Sequence, residues 1–175
     1  MQHTSCIIEY LDLTTIVALK QELSNIPADW WTSHFAGEYE ITGALRHGKT
    51  CWLNKLDHNL IPMISRVNQF SESKKIIDKL LNKNMLGRAY WHRLMPGDII
   101  NRHHDRNLGF SDKVLHRYQI YLDIPSNVEL IIDDAVAYPA NLQNCILDFN
   151  MYMPHSYANK SNSELIFMVI DILIP

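Results

Sequence analysis

Apolar residues in the first half of this chain recur at helical spacing in two stretches. In the second half they break into short runs of strand length. Cys6 to Leu13 predicts a first strand. From Thr14 to Ile26 the apolar set Ile16, Val17, Leu19 and Leu23 predicts a helix, which Pro27 obliges to end near Asn25. Trp30 to Trp52 reads as strands and loops punctuated by Gly37, Gly43 and Gly48. Ile76, Ile77, Leu80 and Leu81 mark the buried face of a second helix, capped by Ser71 or Ser73 and running to about Lys83.

Beyond Gly87 the predicted strands are Arg88–Leu94, Ile99–His104, Val114–Ile124, Val128–Asp133, Cys145–Asn150 and Leu165–Ile174. Pro96-Gly97, Pro125-Ser126 and Asn159 to Asn162 separate several of them, and Asp133-Asp134 reads as a hairpin turn. Helices followed by many short strands is the order of an α+β protein whose core is an antiparallel barrel or sandwich. The last run has almost lost its alternation, so it is expected to be buried on both faces or covered by the helices. No repeat or linker interrupts the chain. The expected organisation is one domain, 1–175, with supporting strands and helices over 1–86 and the β core over 87–175.

Composition narrows the function. A hydrophobic share of 47% suits a soluble globular protein, and a net charge of -3 excludes nucleic-acid binding through a dominant basic field. Met1 to Ser5 lacks a basic leader, and Leu165 to Ile174 is too short and carries Asp171, so no membrane span is expected. Cys6, Cys51 and Cys145 form no CxxC and cannot all pair, which suits a reducing cytoplasm.

Candidate chemistry centres on His103-His104-Asp105. At the end of a strand His103 and Asp105 share a face, whereas His104 turns away between Arg102 and Arg106. His155 follows fifty-two residues after His103, just beyond Pro154. Two histidines and one carboxylate on one face of an ion leave its other positions open, as non-haem Fe(II) oxygenases require. A bare HxD is more often a polar strand end, so this reading requires the three side chains to meet. Arg117 lies mid-strand in Leu115-His116-Arg117-Tyr118-Gln119-Ile120-Tyr121-Leu122, on a face shared with Gln119 and Tyr121. A buried guanidinium there needs an anion, either the far carboxylate of a 2-oxoglutarate co-substrate or a nearby acid such as Asp123 or Glu129.

The segment Leu94-Met95-Pro96-Gly97-Asp98-Ile99-Ile100-Asn101-Arg102-His103, the strand His116 to Leu122, and Phe149 to His155 with Asn159 resemble the aspartyl/asparaginyl β-hydroxylase family. The resemblance covers roughly Tyr90 to the C-terminus. It implies a double-stranded β-helix (jelly-roll, cupin class) and an Fe(II)- and 2-oxoglutarate-dependent dioxygenase. Such an enzyme uses O₂ to hydroxylate an Asp-, Asn- or Pro-like side chain, free or in a peptide. By this resemblance His103 is the first iron ligand, Arg117 a co-substrate contact, His155 the second histidine ligand and Asn159 the trailing asparagine. Two departures stand out. Asp105 supplies an acidic ligand that the animal aspartyl hydroxylases lack. The arginine usual about ten residues after the second histidine is replaced by Ser163-Glu164-Leu165, which leaves Arg117, helped by Gln119 or Tyr121, to hold the co-substrate, or else a different co-substrate.

Tyr90 and His92 share a face on the strand before the Pro-Gly turn and are further co-substrate candidates, or simply core residues. Trp30, Trp31, Tyr39, Trp52 and Arg46 either line a substrate cleft or pack the core. Two competing functions share the metal face: a jelly-roll protein that binds a metal or small acid without turnover, and a cupin isomerase or dioxygenase that needs no co-substrate.

Overall fold

The computed structural model describes residues 5–33, 48–57, 59–105, 113–132, 135–137 and 139–174. The strands are β1 (Cys6–Tyr10), β2 (Thr32–Ser33), β3 (Lys49–Leu56), β4 (Pro62–Ser65), β5 (Met85–Leu94) and β6 (Ile99–His103), then β7 (Val114–Asp123), β8 (Val128–Ile132), β9 (Ala135–Ala137), β10 (Cys145–Asp148), β11 (His155–Asn159) and β12 (Leu165–Leu173). The helices are α1 (Leu13–Ser24), α2 (Ser71–Leu81) and the single turn α3 (Pro139–Leu142). All strand ladders are antiparallel and form two sheets. The larger runs β1-β10-β7-β12-β5-β3-β2 with β4 on β3, and the smaller runs β6-β11-β8-β9.

Both faces of the larger sheet are covered. One faces the smaller sheet across a core that includes Leu94, Tyr121, Leu130, Leu147, Tyr157 and Phe167. The other faces the two longer helices across Leu19, Leu23, Ile76, Ile77, Trp91, Ile120 and Met168. This explains the lost alternation of β12. Phe167 and Val169 enter the inter-sheet core, whereas Met168, Ile170 and Ile172 meet the helix side. Along β5 and β7 the same parity places Tyr90 and Tyr121 between the sheets, and Trp91 and Ile120 beneath the helices. Of the candidate tryptophans, Trp52 packs between the sheets beside Tyr90, Trp31 is buried under Arg93, and Trp30 lies against Phe70 and Arg66. Tyr39, Arg46, Arg106 and the Asp133-Asp134 turn lie outside the described residues.

Local chemistry sets the element ends. Asp12 caps α1, its carboxylate accepting the Thr15 backbone N–H at 2.8 Å. The expected serine cap of α2 is not formed: Ser71 and Ser73 lie inside the helix and the N-cap is Phe70, whose side chain makes no capping bond. Instead Glu22 of α1 accepts the N–H groups of Glu72 at 2.8 Å and Ser73 at 3.1 Å, together with the Ser73 hydroxyl. A carboxylate there satisfies otherwise orphaned donors and meets the positive end of the helix dipole. The helix stops at Asn82 and Lys83, both left-handed, with φ of 38° and 73°. Met95-Pro96-Gly97-Asp98 turns β5 into β6, with Asp98 N–H donating to Met95 C=O at 3.0 Å and Gly97 at φ 87°. A positive φ at the third position of such a turn calls for glycine.

Because Glu22 joins α1 to α2, Glu22→Ala is expected to lower unfolding free energy by about 1–2 kcal/mol. Urea denaturation checks it. An unchanged midpoint would mean that solvent caps α2 equally well.

Candidate metal centre

Pairing of β6 with β11 sets His103 directly opposite His155. Their rings lie 4.2 Å apart between centroids. Asp105, two residues past His103, is held by its backbone N–H donating to Met151 C=O at 2.9 Å. The ligand atoms of His103, Asp105 and His155 all fall within 4.8 Å of one another. His103 Nε2 stands 3.4 Å from Asp105 Oδ1, and His155 Nε2 stands 3.6 Å from Asp105 Oδ2. Both separations exceed a good hydrogen bond. The first falls within, and the second just beyond, the roughly 3.0–3.5 Å that separates ligands about 2.1 Å from a shared ion.

The other ring nitrogens fix the tautomers. His103 Nδ1 lies 2.7 Å from Asn101 C=O and His155 Nδ1 lies 3.0 Å from Met153 C=O. A carbonyl can only accept, so each Nδ1 carries the proton and each Nε2 presents a lone pair. Two imidazole nitrogens and one carboxylate, aimed inward with the side chains nearly buried, fit a divalent transition metal with open positions. His104 is exposed, as its strand parity requires.

A small solvent-connected cavity of about 30 Å³ adjoins the triad between the sheets, lined by Tyr90, His92, Ile100, Arg117, Gln119, Tyr157, Phe167 and Val169 as well. Arg117 is not paired with Asp123 or Glu129; those acids take Lys20 and Lys160 at the surface. Its Nε and Nη2 bond to Asp171 at 2.6 and 2.9 Å, and its Nη1 donates to Asp105. Gln119 lines the cavity, and its carbonyl oxygen accepts the hydroxyls of Tyr121 and of Tyr157, the latter at 2.9 Å. Burial lifts the Tyr121 and Tyr157 phenols well above their ordinary value, so both stay neutral donors. Tyr90, whose phenol burial pushes up to about 12, also faces the cavity. His92 does too, with its Nδ1 2.8 Å from the Thr50 hydroxyl.

Two sequence candidates sit elsewhere. Tyr121 lies outside the lining and touches it through Gln119 and Tyr157. Asn159 lies outside the lining, and its amide nitrogen bonds the carbonyls of Leu94 and Ser163 at 2.9 and 2.8 Å. Its backbone N–H and C=O bond Asp98 and Gly97, so Asn159 fastens the Pro-Gly turn to β11. Asp171 and Tyr157 were not singled out from the sequence. A larger groove between α1 and α2, which includes Glu22 and Trp30, carries no comparable ligand set among the described residues.

No protein-family model and no curated protein sequence matches the chain. Solved structures do. An oxidoreductase of the 2OG-Fe(II) oxygenase family from Burkholderia pseudomallei aligns with a TM-score of 0.66 at 10% identity, over 97% of this chain and 84% of that one. The fold of this chain is similar to that of a 2OG-Fe(II) oxygenase. A Pseudomonas putida prolyl-4-hydroxylase aligns at 0.58 with 14% identity, over 98% of this chain and 92% of its own. The viral collagen prolyl hydroxylase of Paramecium Bursaria Chlorella virus-1, in a 2OG complex, aligns at 0.57 with 13% identity, over 97% and 96%. The oxygenase fold is therefore shared broadly, and the likeness does not single out the aspartyl/asparaginyl branch. No helix among the described residues is long and apolar enough to cross a membrane.

Burial pushes His155 down to about 4, against the opposing pull of Asp105. In the unfolded chain the same imidazole titrates near 6.5. Between these values the unfolded state binds more protons, so stability rises with pH there and falls on acidification. The metal-free protein is expected to lose roughly 3 kcal/mol through this group between pH 7 and 4. Urea denaturation at stepped pH tests this, with His155→Gln expected to flatten the slope. Equal slopes in the two proteins would contradict it.

Proposed function

We propose that this protein is an Fe(II)- and 2-oxoglutarate-dependent dioxygenase that hydroxylates an unactivated C–H bond of an Asp-, Asn- or Pro-like amino acid or peptidyl side chain. The observation that carries the reading is the convergence of His103, Asp105 and His155 beside a buried polar cavity in an oxygenase fold. His103 Nε2, His155 Nε2 and the Asp105 carboxylate would hold the iron. Iron bound there would activate O₂, the oxidant, one oxygen atom going to 2-oxoglutarate as it becomes succinate and CO₂ and the other to the hydroxylated product.

The chain's own residues do the rest. The carbonyls of Asn101 and Met153 keep both imidazoles in the ligating tautomer. Gln119, with its carbonyl already occupied by two phenols, has its amide N–H donors for an acid in the cavity. Tyr90 and His92 add polar contacts along the same wall, and Arg117 supplies positive charge at close range. Ile100, Phe167 and Val169 make the remaining wall apolar and exclude water, which strengthens these polar contacts. The resemblance of the Tyr90-to-C-terminus half to aspartyl/asparaginyl hydroxylases and the prolyl hydroxylase neighbours support an amino-acid side chain as the target.

Anaerobic titration with Fe(II) tests this directly. A weak visible charge-transfer band that needs both Fe(II) and 2-oxoglutarate is expected. A metal-binding jelly-roll without this chemistry, or a dioxygenase independent of the keto acid, would show none. His155→Ala should lower succinate formation by more than the roughly 10–100-fold typical of outer-sphere changes, while circular dichroism stays native.

A further inference from the structure

Four charged side chains form a buried row across the middle of the larger sheet. Arg88 comes from β5, Asp171 from β12 and Arg117 from β7, and the row ends at Asp105 beyond β6 on the opposite sheet. Their side chains are 4%, 0%, 3% and 4% exposed, so each is shielded from water and depends on its neighbour for its charge. Asp171 stands directly opposite Arg117 in the β12–β7 ladder. Its Oδ1 accepts Arg117 Nε at 2.6 Å, and its Oδ2 accepts both Arg117 Nη2 at 2.9 Å and Arg88 Nε at 3.1 Å. The two-point grip fixes the plane and rotation of the guanidinium. The third nitrogen, Nη1, is thereby delivered to Asp105 Oδ2.

We propose that Asp171 is a positioning residue for the metal centre, acting through Arg117 to fix which oxygen of Asp105 a metal receives. This rests on the oxygenase reading of the triad. A carboxylate can ligate with one oxygen or two, and the second costs the ion an open position. Each oxygen of Asp105 faces a histidine, Oδ1 at 3.4 Å from His103 Nε2 and Oδ2 at 3.6 Å from His155 Nε2, but Arg117 engages Oδ2 and so leaves Oδ1 for a metal. One-oxygen ligation keeps room for a bidentate keto acid and O₂. For Arg117 to turn instead to the far carboxylate of a co-substrate, it would have to leave two buried partners, Asp171 and Asp105. Partners of this kind orient the ligand they bond, and their loss typically costs about 10–100-fold in metal affinity or activity.

Metal affinity and co-substrate affinity separate these roles. Free Mn(II) is followed by electron paramagnetic resonance during titration of the wild type, Asp171→Asn, Arg117→Lys and, as reference, His155→Ala. Urea denaturation of each metal-free protein checks the fold. Both Asp171→Asn and Arg117→Lys are expected to weaken Mn(II) binding about 10-fold or more, with a smaller effect on 2-oxoglutarate affinity of the Mn(II)-loaded form. Should Asp171→Asn fail to fold, Arg117→Lys, which keeps the charge but not the fork, carries the test. Wild-type Mn(II) affinity in a folded variant, with His155→Ala impaired, would overturn the positioning role and leave the oxygenase reading intact. So would an Arg117→Lys protein that loses 2-oxoglutarate affinity alone. If the wild type itself binds no Mn(II), the triad reading falls and this inference falls with it.

Discussion

One antiparallel pairing makes the site. β11 adds to β6 so that His155 falls opposite His103, and the smaller sheet then lies over the polar stripe of the larger one. The facing stripe consists of the inward residues of β5 and β7, Tyr90, His92, Arg117 and Gln119, which the two-residue strand period brings to one side. A one-residue slip of β11 would turn His155 outward and bury Ser156 in its place. The register is guarded at both ends. Asn159 ties the far end of β11 to the Pro-Gly turn, and β8 pairs along the whole strand on the other side.

The energetics of the larger sheet follow from burial on two faces. Its helix side is apolar and closes over Trp91, whose indole N–H finds the Ser73 hydroxyl at 3.1 Å. Its inner side carries ionised groups in a place where unpaired charge would cost several kcal/mol. Alternating Arg88, Asp171, Arg117 and Asp105 lets each charge meet its opposite. The row also orients Asp105, so the same contacts that make the buried charges tolerable also shape the candidate metal face.

Much of this was legible in the chain. The period-two spacing of His103 and Asp105, the outward turn of His104 and the antiparallel sheets following helices are local patterns, and local patterns survive folding. β11 was not: His155-Ser156-Tyr157-Ala158-Asn159 has few apolar residues, and its strand character comes from partners on both sides. The cap of α2 was hidden for a similar reason, since Glu22 lies fifty residues upstream of Glu72. Arg117 and Asp171 each interrupt a largely apolar strand, and they do so together: the arginine's anion comes from the strand paired beside it, while the nearer acids Asp123 and Glu129 serve surface lysines. Asn159, matched by resemblance to a site asparagine, holds a turn through its amide, which donates to the backbone carbonyls of Leu94 and Ser163.

The account stands on three distant side chains sharing one ion. Anomalous diffraction from a crystal grown with Mn(II) and an inert 2-oxoglutarate analogue measures that sharing directly. A single anomalous peak about 2 Å from His103 Nε2, His155 Nε2 and one oxygen of Asp105 is the result expected. A peak bonded to any other set of residues, or His155 turned away from the ion, would contradict it.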